Sequence, residues 1–245
     1  MVNENSSPRS TASDWVRLGR EALSAGDLDG AENAFAQALA LQPTGGQTRL
    51  FLGRVAFRKG DHARALACAD AYFAEGGSAY AGLVLRAQSL LELGDAAAFE
   101  AAVQQCEAHA SCDVVPFVLR AEQARRSGDL KSEARHLADA VERYPGVFSA
   151  RFRLANAWLV MGNCEQAVRV MSQANLSRLS EREIFFTADL MEKCRRSDLA
   201  RQAVDHVDPE GEFAGLELLM AALDGRVSPR EALRRHAARR LREGP

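Results

Sequence analysis

Small and apolar residues are spaced along this chain in steps of three and four, and the stripes they form recur every thirty-four residues. The short steps put these residues on one face of a helix. The long step is marked by Gly26, Gly60, Gly94, Gly128 and Gly162, four followed by aspartate and the last by asparagine. Glycine ends a helix readily because it accepts left-handed backbone, and the polar residue behind it can cap the next helix. The pattern therefore predicts paired helices, each pair joined at a glycine.

The columns around the glycines carry the packing. Seven residues before them stand Gly19, Gly53, Ala87, Ala121 and Ala155, almost without side chains, which lets a neighbouring helix backbone approach. Five residues after come Ala31, Ala65, Phe99, Glu133 and Ala167; nine after, Phe35, Ala69, Val103, Leu137 and Met171; twelve after, Ala38, Tyr72, Cys106, Ala140 and Ala174. These offsets place one stripe of the second helix against the first. Phe99 and Glu133 break an otherwise small column. In those two repeats either the helices stand further apart, or the second helix starts one residue later, at Ala134 in the fourth.

In this frame the chain resembles the tetratricopeptide repeat family. Trp15, Leu18, Gly19, Ala31, Phe35, Ala38 and Pro43 match the family's signature of tryptophan, leucine-glycine, alanine, phenylalanine, alanine and closing proline. The second repeat keeps Leu52, Gly53 and Ala65; the fourth, Ala121, Ala140 and Pro145; the fifth, Leu154, Ala155, Ala167 and Ala174. The resemblance implies an all-α, right-handed α-α superhelix, a solenoid of about five to six helical hairpins in which neighbouring repeats bury each other's apolar faces, closed by a C-terminal capping helix pair.

On this reading residues 1–11 are a polar, disordered tail and 12–175 hold five repeats. Residues 176–210 form a degenerate sixth pair in which Arg196, Ser197 and Asp198 stand where the turn glycine would fall, and 211–245 form the capping hairpin. Ser228, Pro229 and Glu231 would start its last helix with a capping box.

Composition agrees with a folded helical protein, at 47% hydrophobic but only 7% aromatic residues. A formal charge of −2 removes any whole-molecule attraction to nucleic acid or anionic lipid. The five cysteines are odd in number and scattered, as suits reduced thiols used as small apolar residues. The start lacks the basic end and apolar run of an export signal, and no stretch is long and apolar enough to span a bilayer, so a cytoplasmic protein without membrane insertion is expected.

A stripe about 100° round the first helix of each pair is left facing the inside of such a superhelix. It comprises Val16, Arg20 and Leu23; Leu50, Arg54, Phe57 and Arg58; Val84, Gln88 and Leu91; Val118, Glu122 and Arg125; and Phe152, Asn156 and Leu159. The column Arg20, Arg54, Gln88, Glu122, Asn156 runs from positive to polar or negative. Its first half would suit a protein or peptide segment carrying carboxylates and apolar anchors, against the plainer reading of solvated arginines on a packed wall. The resemblance points the same way, since the family binds peptides on this face. Some members hold a terminal carboxylate with lysine and asparagine, but Val16 and Arg20 stand here instead, so that clamp is not carried over.

Other chemistry is thin. Cys106, His109 and Cys112 on one helix would spread over roughly 120° of its surface, so one metal ion could collect all three only if the helix ended first, with Asp113 as the fourth ligand; a buried cysteine in a helical core is the reading preferred. His62, His136 and His236 read as surface residues. No phosphate loop, nucleophile elbow or paired zinc histidines occur, and no cofactor, metal or catalytic residue is expected. Arg230, Arg234, Arg235, Arg239, Arg240 and Arg242 could attract phosphate or nucleic acid, but Asp205 to Asp224 contains no lysine or arginine and includes Asp208, Glu210 and Glu212, so a charge-paired cap accounts for them better. That run has no aromatic residue for base stacking.

The expectation is a non-catalytic scaffold, adaptor or assembly chaperone. The resemblance allows work in bacterial envelope, secretion or polysaccharide assembly. A regulatory subunit of an enzyme on another chain, nucleic-acid or phosphate binding through the C-terminal helix, and a homo-oligomer paired through an exposed edge are the alternatives.

Overall fold

A computed structural model describes residues 11–204, which contain twelve α-helices, one short 3-10 turn and, among those residues, no strand. The chain divides into two compact units, Met1–Leu119 and Arg120–Pro245. The C-terminal hairpin read at 211–245, with its arginines, lies outside the described residues, as do residues 1–10 of the tail.

In the first unit the helices are α1 (Ala12–Ala25), α2 (Leu28–Leu41), α3 (Gly46–Arg58), α4 (His62–Ala74), α5 (Tyr80–Leu93) and α6 (Ala96–Ala108), followed by the start of α7 (Val115–Arg126). Thr11 opens α1 with a capping box, its side chain accepting from Asp14 N while Asp14 accepts from Thr11 N. α1 closes at Gly26, whose φ of 82° is left-handed, and the Asp27 side chain accepts from Gly30 N at 2.9 Å to start α2. A Cβ on Gly26 would meet nothing within 4 Å, so the position needs glycine for its backbone angle and not for space. Asp61 and Asp95 cap α4 and α6 in the same way, behind Gly60 and Gly94. The thirty-four-residue period is thus the recurrence of one helix-stop and helix-start device.

Gly19 and Gly53 answer to a different demand. A Cβ on Gly19 would lie 2.6 Å from Phe35 Cε1, and one on Gly53 would lie 2.8 Å from Leu85 Cδ2. These glycines are spaces into which the neighbouring helix packs. The Phe35 ring is fully buried and stacks on Phe51 at 5.3 Å. Each hairpin buries a large ring at a different place on its second helix: Phe35 nine residues after the glycine, Tyr72 twelve after, Phe99 five after. Where Phe99 fills the small position, Val103 replaces the ring at the next one, so α6 keeps its register. Tyr72 also fixes the α4–α5 connection, its hydroxyl accepting from Ser78 N at 3.1 Å and Ala79 N at 2.8 Å.

In the second unit the helices are the remainder of α7, α8 (Leu130–Arg143), α9 (Phe148–Val160), α10 (Cys164–Ser172), α11 (Glu181–Lys193) and α12 (Ser197–Val204). Gly128 with Asp129 and Gly162 with Asn163 repeat the turn. Because Asp129 caps it, α8 begins at Leu130 and not at Ala134, and Glu133 is buried at 5% exposure in the alanine column. Burial raises the pKa of that carboxyl, against the pull of Arg153 and Arg125. Arg151 is buried as well, donating to Val170 O at 3.1 Å and Pro145 O at 3.0 Å. Three repeats earlier, Arg49 donates to Pro43 O at 2.8 Å, the same closure of a proline loop by an arginine six residues on.

The sixth hairpin keeps the turn without the glycine. Arg195 takes the left-handed conformation at φ 57°, one residue before the span in which the sequence suggests the turn. Arg196 N donates to Met191 O at 2.9 Å, the bond that Asp27 N makes to Ala22 O at the first turn.

Candidate functional site

The described cations of the first unit fall into two groups. Arg17 pairs with Glu21, Arg49 with Glu75, Lys59 with Asp29 and Glu32, Arg64 with Glu32, and Arg86 with Asp70. Hydrogen bonds from Lys59 and Arg64 hold the Glu32 carboxyl below the usual carboxylate range, and those that Lys59 donates to Asp29 and Glu32 raise the pKa of its ammonium. Among the described residues, no carboxylate pairs with the other three, Arg20, Arg54 and Arg58.

Those three line one cleft of about 400 Å³ with Leu23, Ser24 and Phe51. α1 supplies Arg20, Leu23 and Ser24. α3 supplies Phe51, Arg54 and Arg58, at helical spacings of three and four that share a face. The Arg20 guanidinium lies over the Phe51 ring, 5.9 Å from its centroid, and Arg58 Nη1 donates to Leu23 O at 3.1 Å. Two of the cations are thus oriented by neutral partners, with most of their N–H donors still available. Leu23 and Phe51 are half-buried beside them, so the cleft offers positive charge next to apolar surface. Such a surface attracts carboxylates or phosphates on a segment that also carries apolar side chains.

The sequence stripe is only partly gathered here. Arg20, Leu23, Arg54 and Arg58 come together; Val16, Leu50, Phe57 and Gln88 are not among the lining residues. Leu50 is 3% exposed and belongs to the core around Ala65 and Leu85. Phe57 packs edge-on against His62 at 4.9 Å between ring centroids, and Val16 packs toward Ala31 and Phe35. Phe51 is absent from the stripe although it stands three residues before Arg54, which is the signal that could have found it.

In the second unit, Glu122 is bound by cations of its own unit. Arg125 reaches it at 2.5 Å, Arg126 at 3.1 Å and Arg153 at 3.1 Å, and these bonds, Arg125's first, pull its pKa down to about 2. Asn156 is exposed on α9. Phe152 stands in the middle of an aromatic strip, 5.9 Å from Phe148 and 5.3 Å from Phe186, with the Arg182 guanidinium 5.5 Å from the Phe186 centroid. Phe186 lies thirty-four residues after Phe152, so the column carries into the sixth hairpin.

The Cys106 to Cys112 stretch joins α6 to α7. Cys106 is fully buried, which pushes its thiol up to about 11. Ser111 N donates to His109 Nδ1 at 3.0 Å, so Nε2 carries the proton and faces Ser78 O at 3.2 Å. Tyr80 donates to Asp113 at 2.7 Å, and burial together with that bond raises the phenol's pKa. Among the described residues no group of three histidine, cysteine or acidic side chains could hold a metal ion, and no helix is long and apolar enough to cross a membrane.

Comparison with known proteins bears on the fold. The tetratricopeptide repeat family model matches residues 16–79. No curated protein matches the sequence. Among solved structures, PilW, a widely conserved type IV pilus biogenesis factor, is 12% identical with a TM-score of 0.60, covering 85% of this chain and 98% of its own. MamA is 16% identical at 0.55, covering 78% and 95%. YrrB, described as a tetratricopeptide repeat protein with an unusual peptide-binding site, is 15% identical at 0.51, covering 81% and 94%. At such identities the likeness is one of fold: an all-α solenoid of helical hairpins.

Proposed function

We propose that this chain, which matches the tetratricopeptide repeat family over residues 16–79, captures an acidic, partly apolar segment of a partner protein in the cleft between α1 and α3, as a non-catalytic scaffold or adaptor. One observation carries the reading. Five of the eight described cations in this unit hold carboxylates, and the three that do not share one cleft beside Leu23 and Phe51. A unit that pairs its other cations and leaves three similar charges together has a surface that an incoming anion would relieve. The peptide-binding site named for YrrB supports docking of a segment on this fold.

The mechanism is docking. Arg20, Arg54 and Arg58 attract and orient the carboxylates, and Leu23 and Phe51 take apolar contact, for an affinity near micromolar, about 8 kcal/mol. In the second unit, taken by itself, Phe152 and its aromatic neighbours are proposed as a separate apolar contact surface.

The test uses a fluorescent peptide in which leucine alternates with aspartate and glutamate, titrated with the full chain and followed by anisotropy. Arg54→Glu should weaken capture at least tenfold while leaving the melting temperature in place, since Arg54 is exposed and makes no ion pair. Equal capture by Arg54→Glu and the native chain would defeat the assignment.

A further inference from the structure

We propose that the α1–α3 cleft is a phosphoryl site, and that the partner segment it takes is phosphorylated on a serine or threonine. The inference rests on the docking reading above and narrows its ligand.

Three guanidinium groups line one cleft, and no carboxylate stands among the lining residues. A single carboxylate placed there would neutralise one of three charges. A phosphoryl group brings about −1.5 to −2 at neutral pH and three acceptor oxygens, so one ligand group can engage all three cations. The donors are suited to it as well. Guanidinium forks match tetrahedral phosphate oxygens in bidentate fashion, whereas ammonium groups bind as point charges, and every cation lining this cleft is arginine.

Two of the arginines are already positioned. The ring of Phe51 supports Arg20, and the Leu23 carbonyl holds Arg58. Binding therefore orders little more than Arg54, which lowers its entropic cost. At about 400 Å³ the cleft has room for a phosphoryl group together with the side chain that carries it. Leu23 and Phe51 give that side chain's neighbours an apolar wall.

The experiment takes one peptide in three forms, with serine, glutamate or phosphoserine at the centre of the same leucine and aspartate surroundings, and measures binding to the full chain by calorimetry. The phosphoserine form should bind about tenfold more tightly than the glutamate form, and the serine form most weakly. Arg54→Lys, which keeps the charge but not the fork, should cost the phosphoserine peptide more than the glutamate peptide. Inorganic phosphate should compete only at concentrations far above the peptide's dissociation constant.

If the glutamate and phosphoserine forms bind alike and both are lost in Arg54→Glu, acidic docking stands and the phosphoryl assignment falls. If no form binds, both fall. If inorganic phosphate alone binds as tightly as the phosphopeptide, the cleft serves a free anion and the protein partner is wrong.

Discussion

Replacing Gly19 by alanine sets two known effects against each other, and the packing decides the sign. In a helix interior alanine is favoured over glycine by about 1 kcal/mol, so an exposed site would gain stability. Here the new methyl would lie 2.6, 2.8 and 2.8 Å from three carbons of the Phe35 ring. That ring is fully buried and stacked on Phe51 at 5.3 Å, so it has no free volume in which to retreat. Overpacking of this kind costs about 1–3 kcal/mol. The net expectation is a loss of up to about 2 kcal/mol after the helix gain is subtracted, or a fall in melting temperature of up to about 8 °C for a chain of this size. Urea and thermal unfolding followed by far-ultraviolet circular dichroism would measure it. The decisive comparison is Phe35→Leu, which opens space at the contact: in that background Gly19→Ala should become neutral or stabilising, and because the helix gain cancels between backgrounds the coupling is the overpacking cost itself, about 1–3 kcal/mol. A Gly19→Ala protein that melts higher than the native one, or a cost that is the same in both backgrounds, would refute the account of this column. Because Phe51 stacks on the displaced ring and also carries Arg20, the same substitution should weaken capture of the acidic peptide.

Arg195→Gly should raise stability by about 1 kcal/mol, because glycine holds a φ of 57° without the strain of a Cβ, and thermal unfolding would read it. Glu122→Gln addresses pH. The carboxylate's pKa is depressed to about 2 by Arg125, Arg126 and Arg153, so its contribution is present above the unfolded value near 4.5 and is lost as pH falls toward 2. With its arginine partners partly exposed, that contribution is about 1 kcal/mol after screening, and Glu122→Gln should flatten the stability profile across that acid window and nowhere above it.

The repeat was legible in the sequence because it is written in local chemistry. A left-handed glycine followed by an aspartate cap needs only neighbouring residues, and the small column at Gly19, Gly53, Ala87, Ala121 and Ala155 is buried throughout. The choice left open at Ala134 was decided by Asp129, whose side chain starts α8 at the usual place. Charge pairing was not legible. Lys59 finds Asp29 and Glu32, thirty and twenty-seven residues away, and Arg153 finds Glu122 thirty-one residues away. Such pairs join side chains on different hairpins, so one chain's pattern cannot tell a paired cation from an uncompensated one. The stripe placed Leu50 with Arg54 for a related reason: Leu50 stands one helical turn before Arg54, yet the α4 and α5 side chains cover it. Phe186 could have been found by stepping on from Phe152, and Arg151 by stepping back to Arg49.

This division of labour says where on such a chain function can be written. The fold uses the turn glycine, the cap behind it, the small column before it and the buried stripe after it, and changes at these positions act through stability. Outward positions on the first helices carry none of those duties, so their charge is free to vary without loss of the hairpin. Arg20 and Arg54 occupy equivalent places one repeat apart, and equivalent places further on hold glutamine, glutamate and asparagine. A structural need for the cation would recur with the repeat, as the glycine does. It stops after Arg54, which fits the proposal that Arg20 and Arg54 serve the segment the cleft meets. Charge reversal there should separate capture from folding, whereas Gly19→Ala should disturb both.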